Sequence, residues 1–492
     1  MRLGTLIEGF ESRGSHCDPD ITGLSLDSRL VTPGDCFLAL KGHRTDGASF
    51  IEEALDRGAA AILHGVVDTS EKLAVENCLY VDELNRHLGV IADRFFDSPS
   101  KRLNVCAITG TNGKTTVAHL LAHLFEQLGQ AWGYIGTLGA GQARALNQTS
   151  NTTPDVISIN RLLRSFSDSG CSGAALEASS HGLAQGRLDA LQIAVAVLTN
   201  LQTDHLDYHG DAERYAEAKA RLFTKAQLRV AVLNADEAFS ARLEGQISRD
   251  VIIWRYGRSK NLQPAARFVV GQVVASSASG TEILIRHDQG QAVLRTNLIG
   301  EFNVDNLLAT LTAALALGVE LDQACQALAS VGAPPGRLEL VSDRDCSFQV
   351  YVDYAHTPDA LHAALRCLRG ICEGELRCVF GCGGDRDTEK RPLMGAAVAH
   401  HADRIFLTAD NPRGESLEAI NVAVLRGIGA HAQVDVIDDR RVAIAAAIDG
   451  CGPGDIVLIA GKGHEGQQIF ADSAVPFSDR AVAQELLSRQ LH

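Results

Sequence analysis

The sequence predicts an α/β protein in three parts, and three observations carry that prediction. The apolar run Val105-Cys106-Ala107-Ile108 leads into Thr109-Gly110-Thr111-Asn112-Gly113-Lys114-Thr115-Thr116, then into a helical pattern from Val117 to Leu128 that stops at Gly129. Strand, glycine-rich turn, Lys-Thr and helix is the context of a phosphate-binding loop. Beyond the linker Ala333-Pro334-Pro335-Gly336, strand and helix patterns alternate regularly, which implies βαβ units and a parallel sheet. Finally, 492 residues are too many for one core, so several domains are expected. The expected division is a small mixed N-terminal domain at 1–84, a central domain carrying the phosphate loop at 85–333, and a C-terminal α/β domain at 334–492.

Composition narrows the function. Apolar content of 46% and aromatic content of 5% describe an ordinary globular protein. With 45 basic and 60 acidic residues the net charge is −15, which argues against nucleic acid or an anionic membrane as partner. Any anionic substrate must then be held by local Arg and Lys. The 12 cysteines contain no Cys-x-x-Cys pair. The cluster Cys367, Cys372, Cys378 and Cys382 has the wrong spacing for structural zinc and reads as small buried hydrophobes. No signal-peptide pattern and no apolar run of about 18 residues occurs, so a cytoplasmic protein with reduced thiols is expected.

Along the chain, turn signals at Thr32-Pro33-Gly34 and Lys41-Gly42-His43 punctuate the first block. In the central block, strands ending in polar residues, such as Ile193 to Asn200, precede a long helical pattern from Asn303 to Leu317 closed by Gly318. In the third block strands are expected at Phe348–Val352, Arg377–Phe380, Arg404–Thr408 and Asp455–Ile459, with helices at Leu417–Leu425 and Arg441–Ile448. Polar loops follow these strands: Asp353-Tyr354-Ala355-His356, Gly381-Cys382-Gly383-Gly384-Asp385-Arg386, Asp410-Asn411-Pro412-Arg413 and Gly461-Lys462-Gly463-His464-Glu465. In open α/β sheets the ligand crevice lies outside the carboxyl ends of the strands.

The chemistry-bearing residues lie in these loops. Glycines at 110 and 113 let backbone N–H groups approach phosphate oxygens, Lys114 is placed to reach the β/γ-phosphates, and the Thr115 hydroxyl suits Mg²⁺. Lys219 falls inside the apolar stripe of a helix expected over Asp211–Phe223, with Tyr215, Ala216, Ala220, Leu222 and Phe223 beside it and Glu213, Arg214, Glu217 and Arg221 facing out. Two readings stand there. The ammonium reaches water over an apolar surface, or the lysine is desolvated, its neutral amine open to carbamylation by CO₂. Glu177, after Gly173-Ala174-Ala175-Leu176, and the histidines of Asp204-His205-Leu206-Asp207-Tyr208-His209 offer carboxylate and imidazole at strand ends.

Gly-Thr-Asn-Gly-Lys-Thr-Thr, Glu177-Ala-Ser-Ser-His-Gly-Leu, Thr199-Asn-Leu-Gln-Thr-Asp-His-Leu-Asp-Tyr-His-Gly, the Lys219 helix, Gly300-Glu-Phe-Asn-Val-Asp-Asn, Pro334-Pro-Gly-Arg-Leu-Glu, the Asp353 loop and Asp410-Asn-Pro-Arg occur in this order. Together they resemble the Mur ligase family, ATP-dependent amide-forming enzymes of peptidoglycan synthesis. The resemblance covers nearly the whole chain. It implies a P-loop-type ATPase domain in the centre and a Rossmann-like domain at the C-terminus. It implies a cytoplasmic monomer that uses ATP and Mg²⁺ to join meso-diaminopimelate to UDP-MurNAc-L-Ala-D-Glu through an acyl phosphate. By resemblance, Gly110, Thr111, Asn112, Gly113, Lys114, Thr115 and Thr116 bind the ATP phosphates. Thr115, Glu177, His205 and carbamylated Lys219 serve Mg²⁺. Asn303, Asn306, Arg337, Asp353 and His356 contact the nucleotide. Leu26, Ser28, His43, Arg44 and Thr45 resemble uridine-nucleotide contacts, and Asn151, Thr152, Thr153, Ser179, Gln185 and Arg187 contacts to sugar and peptide. Arg386, Asp410, Asn411, Pro412, Arg413, Gly461 and Glu465 resemble the amino-acid pocket, where the planar fork of Arg413 suits a distal carboxylate. L-Lysine as the added amino acid, a folylpolyglutamate-synthetase-like ligase, a P-loop kinase and an inactive nucleotide-binding module are the alternatives.

Overall fold

The computed structural model describes residues 1–13, 18–42, 45–65, 78–143, 145–202, 204–259, 267–288, 290–343, 346–429 and 432–490. His43 and Arg44, expected at the uridine nucleotide, lie outside the described residues. The chain divides into two compact units, residues 1–114 with 125–254 and residues 115–124 with 255–492. Among the described residues no helix is long and apolar enough to cross a membrane.

The first unit holds two sheets. The smaller has the spatial order Ser12–Arg13, Cys78–Val81, Ala61–His64, Asp35–Ala39, Gly23–Ser25, parallel except for its first pair. One of its faces is covered by helix Leu84–Phe95, which adds Leu84, Ile91 and Ala92 to a core that also takes Val156 and Ile157. Those two residues open helix Val156–Asp168, whose N-cap Asp155 accepts hydrogen bonds from Ile157 N and Ser158 N at 3.0 Å each.

The larger sheet of this unit runs Val230–Asn234, Val195–Leu198, Asn104–Thr109, Gly173–Glu177, Trp132–Gly136, all parallel, then Gly139–Gln142 and Ala145–Asn147 antiparallel. Alternate residues of the parallel strands (Val105 and Ala107, Ala174 and Leu176, Ala196 and Leu198, Ala231 and Leu233) enter one core with Leu163, Phe166, Leu222 and Phe223. The intervening positions are buried too, which is why these strands read as continuous apolar runs. Register puts Glu177 beside Ile108 and Leu198 beside Thr109. The polar residues that follow therefore emerge on one sheet edge.

In the second unit, Phe268–Ser277, Gly280–His287 and Gly290–Thr296 form an antiparallel meander. Helix Glu301–Ala316 lays Leu308 against Gly271, where a Cβ would meet it at 2.7 Å. The C-terminal sheet has the order Glu339–Leu340, Gln349–Asp353, Ile456–Ala460, Leu376–Phe380, Arg404–Leu407, Gln433–Val436, parallel but for the first pair. The last strand in sequence is inserted between the two that open the α/β alternation, and this is the switch point at which such sheets bind ligands. The four strands expected in this sheet each lie within a residue of their observed positions. Helix Leu417–Ile428 outruns its expected end because nothing breaks it before Gly429, φ +79°. All described cysteines are free, with Cys378 and Cys382 buried and Cys367 and Cys372 half-buried.

Candidate active site

In the first unit the site is built on the edge where Asn104–Thr109, Gly173–Glu177 and Val195–Leu198 end. Gly110 has φ +149°, and a Cβ there would sit 1.8 Å from Thr199 Oγ1, so only glycine lets the loop turn against the next strand. The loop is stitched to the segment after Leu198. Thr111 N donates to Asn200 O at 3.0 Å, Asn112 N to Asn200 Oδ1 at 2.9 Å, and Thr199 Oγ1 to Asn112 O at 2.6 Å. Lys114 opens helix Lys114–Gln127, and its Nζ donates to Gly110 O and Thr111 O, each at 2.9 Å. The next two residues, Thr115 and Thr116, are buried in the first helical turn.

Lys219 lies on helix Ala212–Ala220, capped by Asp211, whose carboxylate accepts Arg214 N at 2.8 Å. The outward and inward faces are those the spacing predicts. The side chain is 1% exposed, which excludes the reading in which its ammonium reaches water. Nζ donates to Gly110 O at 2.7 Å and stands 4.4 Å from the centroid of the Tyr215 ring. Desolvation, reinforced by the nearby Lys114 charge and only partly opposed by Asp204, holds its pKa well below the ordinary lysine value. Tyr215 OH meets Thr111 Oγ1 at 3.1 Å, joining this helix to the loop.

Glu177 is fully buried. Oε1 accepts from Tyr134 OH at 2.6 Å and Thr137 N at 2.9 Å, and Oε2 from Thr137 Oγ1 at 3.1 Å. Gly136 makes room, since a Cβ there would lie 2.2 Å from Oε1. His205 adopts φ +52°, with Nε2 3.5 Å from Asp204 Oδ2. Its ring centroid is 4.9 Å from that of His181, which in turn is 5.4 Å from His209. Burial, and after it repulsion from His205, lowers the pKa values of His181 and His209.

The expected sugar and peptide contacts surround Glu177. Thr153 Oγ1 donates to Glu177 O at 2.7 Å, and Ser179 caps helix Ser180–Ala184 by accepting Gly182 N at 3.1 Å. Thr152 Oγ1 meets Thr137 Oγ1 at 3.1 Å. Arg187 donates to Thr153 O and grips Gln185 Oε1 at 2.7 and 3.1 Å. Asn151 and Gln185 are exposed. On the smaller sheet Leu26 is half-buried and Thr45 exposed, while Ser28 is buried with its hydroxyl donating to Glu53 at 2.6 Å.

In the second unit the carboxyl ends of the C-terminal sheet gather two clusters. Around the switch point, Asp353 accepts Leu338 N at 2.6 Å and Ala355 N at 2.8 Å. Burial raises its pKa and the Arg337 charge opposes that. Arg337 stacks 4.6 Å from the centroid of Tyr354, whose ring is 4.6 Å from that of His356. The backbones of Gly336 and Gly463 touch, both in left-handed conformations, and a Cβ on Gly336 would lie 2.2 Å from Gly463 C. Asn303 and Asn306 are buried on helix Glu301–Ala316, linked at 3.2 Å.

The second cluster joins the Asp410, Gly461 and Gly383 loops. Lys462, 0% exposed, donates to Asn411 Oδ1 at 3.0 Å and Glu465 Oε2 at 2.9 Å, and Asn411 Nδ2 donates to the same Glu465 oxygen at 2.9 Å. Lys462 and this hydrogen bonding oppose the burial of Glu465, leaving its pKa lowered. Burial raises the pKa of Asp410. Arg413, φ +51°, donates Nη1 to Gly384 O at 2.9 Å. Pro412 and Gly461 are buried, and Arg386 is exposed. Behind these loops Arg440 and Asp479, both 0% exposed, form a bidentate pair at 2.7 Å, and Arg440 also donates to Ala409 O at 3.3 Å and Ala460 O at 2.9 Å.

Tyr134, Thr137, Lys462 and the Arg440–Asp479 pair were not singled out by the sequence. Only Lys462 carried a signal, a lysine between two glycines at a strand end.

Among the described residues no group of three or more His, Cys, Asp and Glu side chains is gathered to hold a metal alone. The residues expected at Mg²⁺ offer a hydroxyl and a carboxylate, hard oxygen donors of the kind Mg²⁺ takes alongside substrate phosphates.

Three family models match the chain: Mur ligase family, catalytic domain, at 20–96; Mur ligase middle domain at 108–314; and Mur ligase, glutamate ligase domain, at 336–463. The UDP-N-acetylmuramoyl-L-alanyl-D-glutamate–2,6-diaminopimelate ligase of Haemophilus influenzae strain PittGG is 41% identical over 96% of this chain and 97% of its own. The enzyme of the same name from Alkalilimnicola ehrlichii is 41% identical over 99% of both chains. A solved structure of a ligase of that name superposes with a TM-score of 0.72 at 37% identity, covering 96% of each chain. The chain belongs to the Mur ligase family.

Proposed function

We propose that this chain is an ATP-dependent, ADP-forming ligase that adds meso-diaminopimelate to the D-Glu of UDP-MurNAc-L-Ala-D-Glu, in the cytoplasm, as a step of peptidoglycan precursor synthesis. The observation that carries the reading is the pairing of Lys114 and Lys219 on Gly110 O, at a glycine loop beside a buried carboxylate. The high identity to ligases of that name over nearly the whole chain supports the choice of substrates. The proposed domains are 1–84 for the uridine nucleotide, with helix Leu84–Phe95 packed back on it, 85–333 for ATP, and 334–492 for the amino acid. The enzyme works as a monomer without a nucleic-acid or membrane partner.

In this reading the substrate carboxylate attacks the γ-phosphorus of ATP, ADP leaves, and an acyl phosphate forms. The amine of diaminopimelate then attacks the acyl carbon, phosphate departs with the carbon–oxygen bonding pair, and the amine loses its proton. Lys114, released from the loop carbonyls, turns to the transferring phosphoryl group, whose charge it offsets. Thr115, Glu177, His205 and Lys219, if carbamylated, would hold Mg²⁺, which would neutralise phosphate charge there. Asn303, Asn306, Arg337, Asp353 and His356 orient the nucleotide. Arg413 and Arg386 take carboxylates of the incoming amino acid, with Asp410, Asn411, Pro412, Gly461 and Glu465 shaping the pocket around its ammonium.

Incubation with ATP, UDP-MurNAc-L-Ala-D-Glu and diaminopimelate, read by mass spectrometry, tests the reading. ADP, phosphate and the amide are expected together. A phosphorylated acceptor without amide overturns it.

A further inference from the structure

The contacts of Glu177 fix the direction of a hydrogen-bond chain. Thr137 Oγ1 donates to Glu177 Oε2 at 3.1 Å, which spends the single proton of the Thr137 hydroxyl. The 3.1 Å contact between Thr137 Oγ1 and Thr152 Oγ1 must then be donated by Thr152. With that proton spent, the hydroxyl of half-buried Thr152 has only its two lone pairs left and can only accept. A second grip acts on the same residue, because Thr153 Oγ1 donates to the Glu177 carbonyl at 2.7 Å and accepts Ser179 N at 2.9 Å. Two consecutive threonines thus hold Glu177, one through its backbone and one through Thr137.

We propose that Thr137 is a positioning residue that couples the seat of the uridine-nucleotide substrate to the carboxylate of Glu177, and that it makes Thr152 a hydrogen-bond acceptor for an N–H or O–H group of that substrate. The inference deepens the ligase reading and rests on it. A phosphate or carboxylate oxygen is refused at Thr152, because two acceptors would face each other without a proton. Substrate seated at Thr152 steadies the chain, and a steadied chain presents Glu177 in one orientation.

The test uses Thr137→Val, Thr152→Val, the double variant and Thr137→Ser, each checked for a cooperative melt. Binding of UDP-MurNAc-L-Ala-D-Glu is measured by calorimetry without ATP, and the half-saturating Mg²⁺ concentration in turnover. Thr137→Val should weaken substrate binding roughly three- to tenfold, the range of one net hydrogen bond, and raise the Mg²⁺ requirement. Thr137→Ser should restore both to within about twofold, and the double variant should bind about as weakly as the weaker single one. Thr137→Ala serves if the valine variant does not melt cooperatively. Unchanged binding in Thr137→Val, or additive losses in the double variant, overturn the coupling. An unmodified enzyme that does not bind the uridine nucleotide overturns the ligase reading instead.

Discussion

Lys114 and Lys219 point their ammonium nitrogens at the same carbonyl, that of Gly110, from 2.9 and 2.7 Å. Two positive charges so close and out of water repel, and the deeper one yields: Lys219 is the group whose proton is held weakly. Gly110 O is thus the shared anchor of two lysines, and of the two the deeper one, Lys219, holds its proton less firmly than an ordinary lysine.

Lys219→Ala should be nearly inactive, and short carboxylates in solution should restore part of the activity by standing in for a carbamate. A ¹³C carbamate resonance on the unmodified enzyme, missing in the variant, checks the modification directly. Failure of every small carboxylate to rescue, with no such resonance, would remove the carbamate from the mechanism.

The same burial has a consequence for stability. In CO₂-free buffer the unfolded chain carries the Lys219 proton up to the ordinary value of 10.5, whereas the folded chain gives it up well below that. Between those limits the unfolded state binds more protons, so this group makes stability rise with pH and its contribution is lost as pH falls. Lys219→Met should flatten that slope and melt higher at neutral pH. Denaturant midpoints across a pH series measure both.

Lys114→Ala should fold and yet fail to turn over, at a cost near that of an oxyanion donor, about 2.7–4 kcal/mol or more. Circular dichroism establishes the fold, and steady-state ADP release the loss.

Arg413 donates to the Gly384 carbonyl at 2.9 Å, a bond that a substrate carboxylate can replace. Arg413→Ala should cost about 2–5 kcal/mol in kcat/KM for diaminopimelate, as for truncating one partner of a buried charge pair. Lysine lacks the distal carboxylate, and sites that pair a polar group reject analogues without it by roughly 10⁴–10⁵. Equal concentrations of the two amino acids in one reaction decide the point, and comparable lysine incorporation sinks the specificity assignment.

Removing Arg440 alone leaves Asp479 buried without its partner. Arg440→Met should cost about 3–5 kcal/mol, and adding Asp479→Leu should recover much of it. Thermal and denaturant unfolding of the two variants compare directly.

Much of this was legible in the chain. The strand–glycine–lysine–helix order at 105–128 was legible, because glycine spacing and apolar runs are local signals. The faces of the Lys219 helix were legible as well, since period 3.6 sorts Tyr215 and Ala216 from Glu213 and Glu217. Whether Lys219 met water or protein was not, because that depends on Gly110, far off in sequence. Tyr134 and Thr137 escaped for the same reason. They reach Glu177 from a neighbouring strand, and nothing in Trp132–Gly136 marks its tyrosine as the partner of a carboxylate. Nothing local marks Arg440 and Asp479 as partners, because 39 residues separate them and only the fold brings them together.

That last pair ties the fate of the Asp410 and Gly461 loops to the last described helix. Asp479 opens the final helix, Asp479–Gln490, and through Arg440 it braces the carbonyls just before Asp410 and Gly461. A stop codon upstream of residue 479 would remove this helix and, with Asp479, the support of the two loops that follow Ala409 and Ala460. Helix Asp479–Gln490 is therefore a poor place for a truncation. Substitutions in the exposed parts of those loops, in contrast, leave this brace and the frame beneath them unchanged.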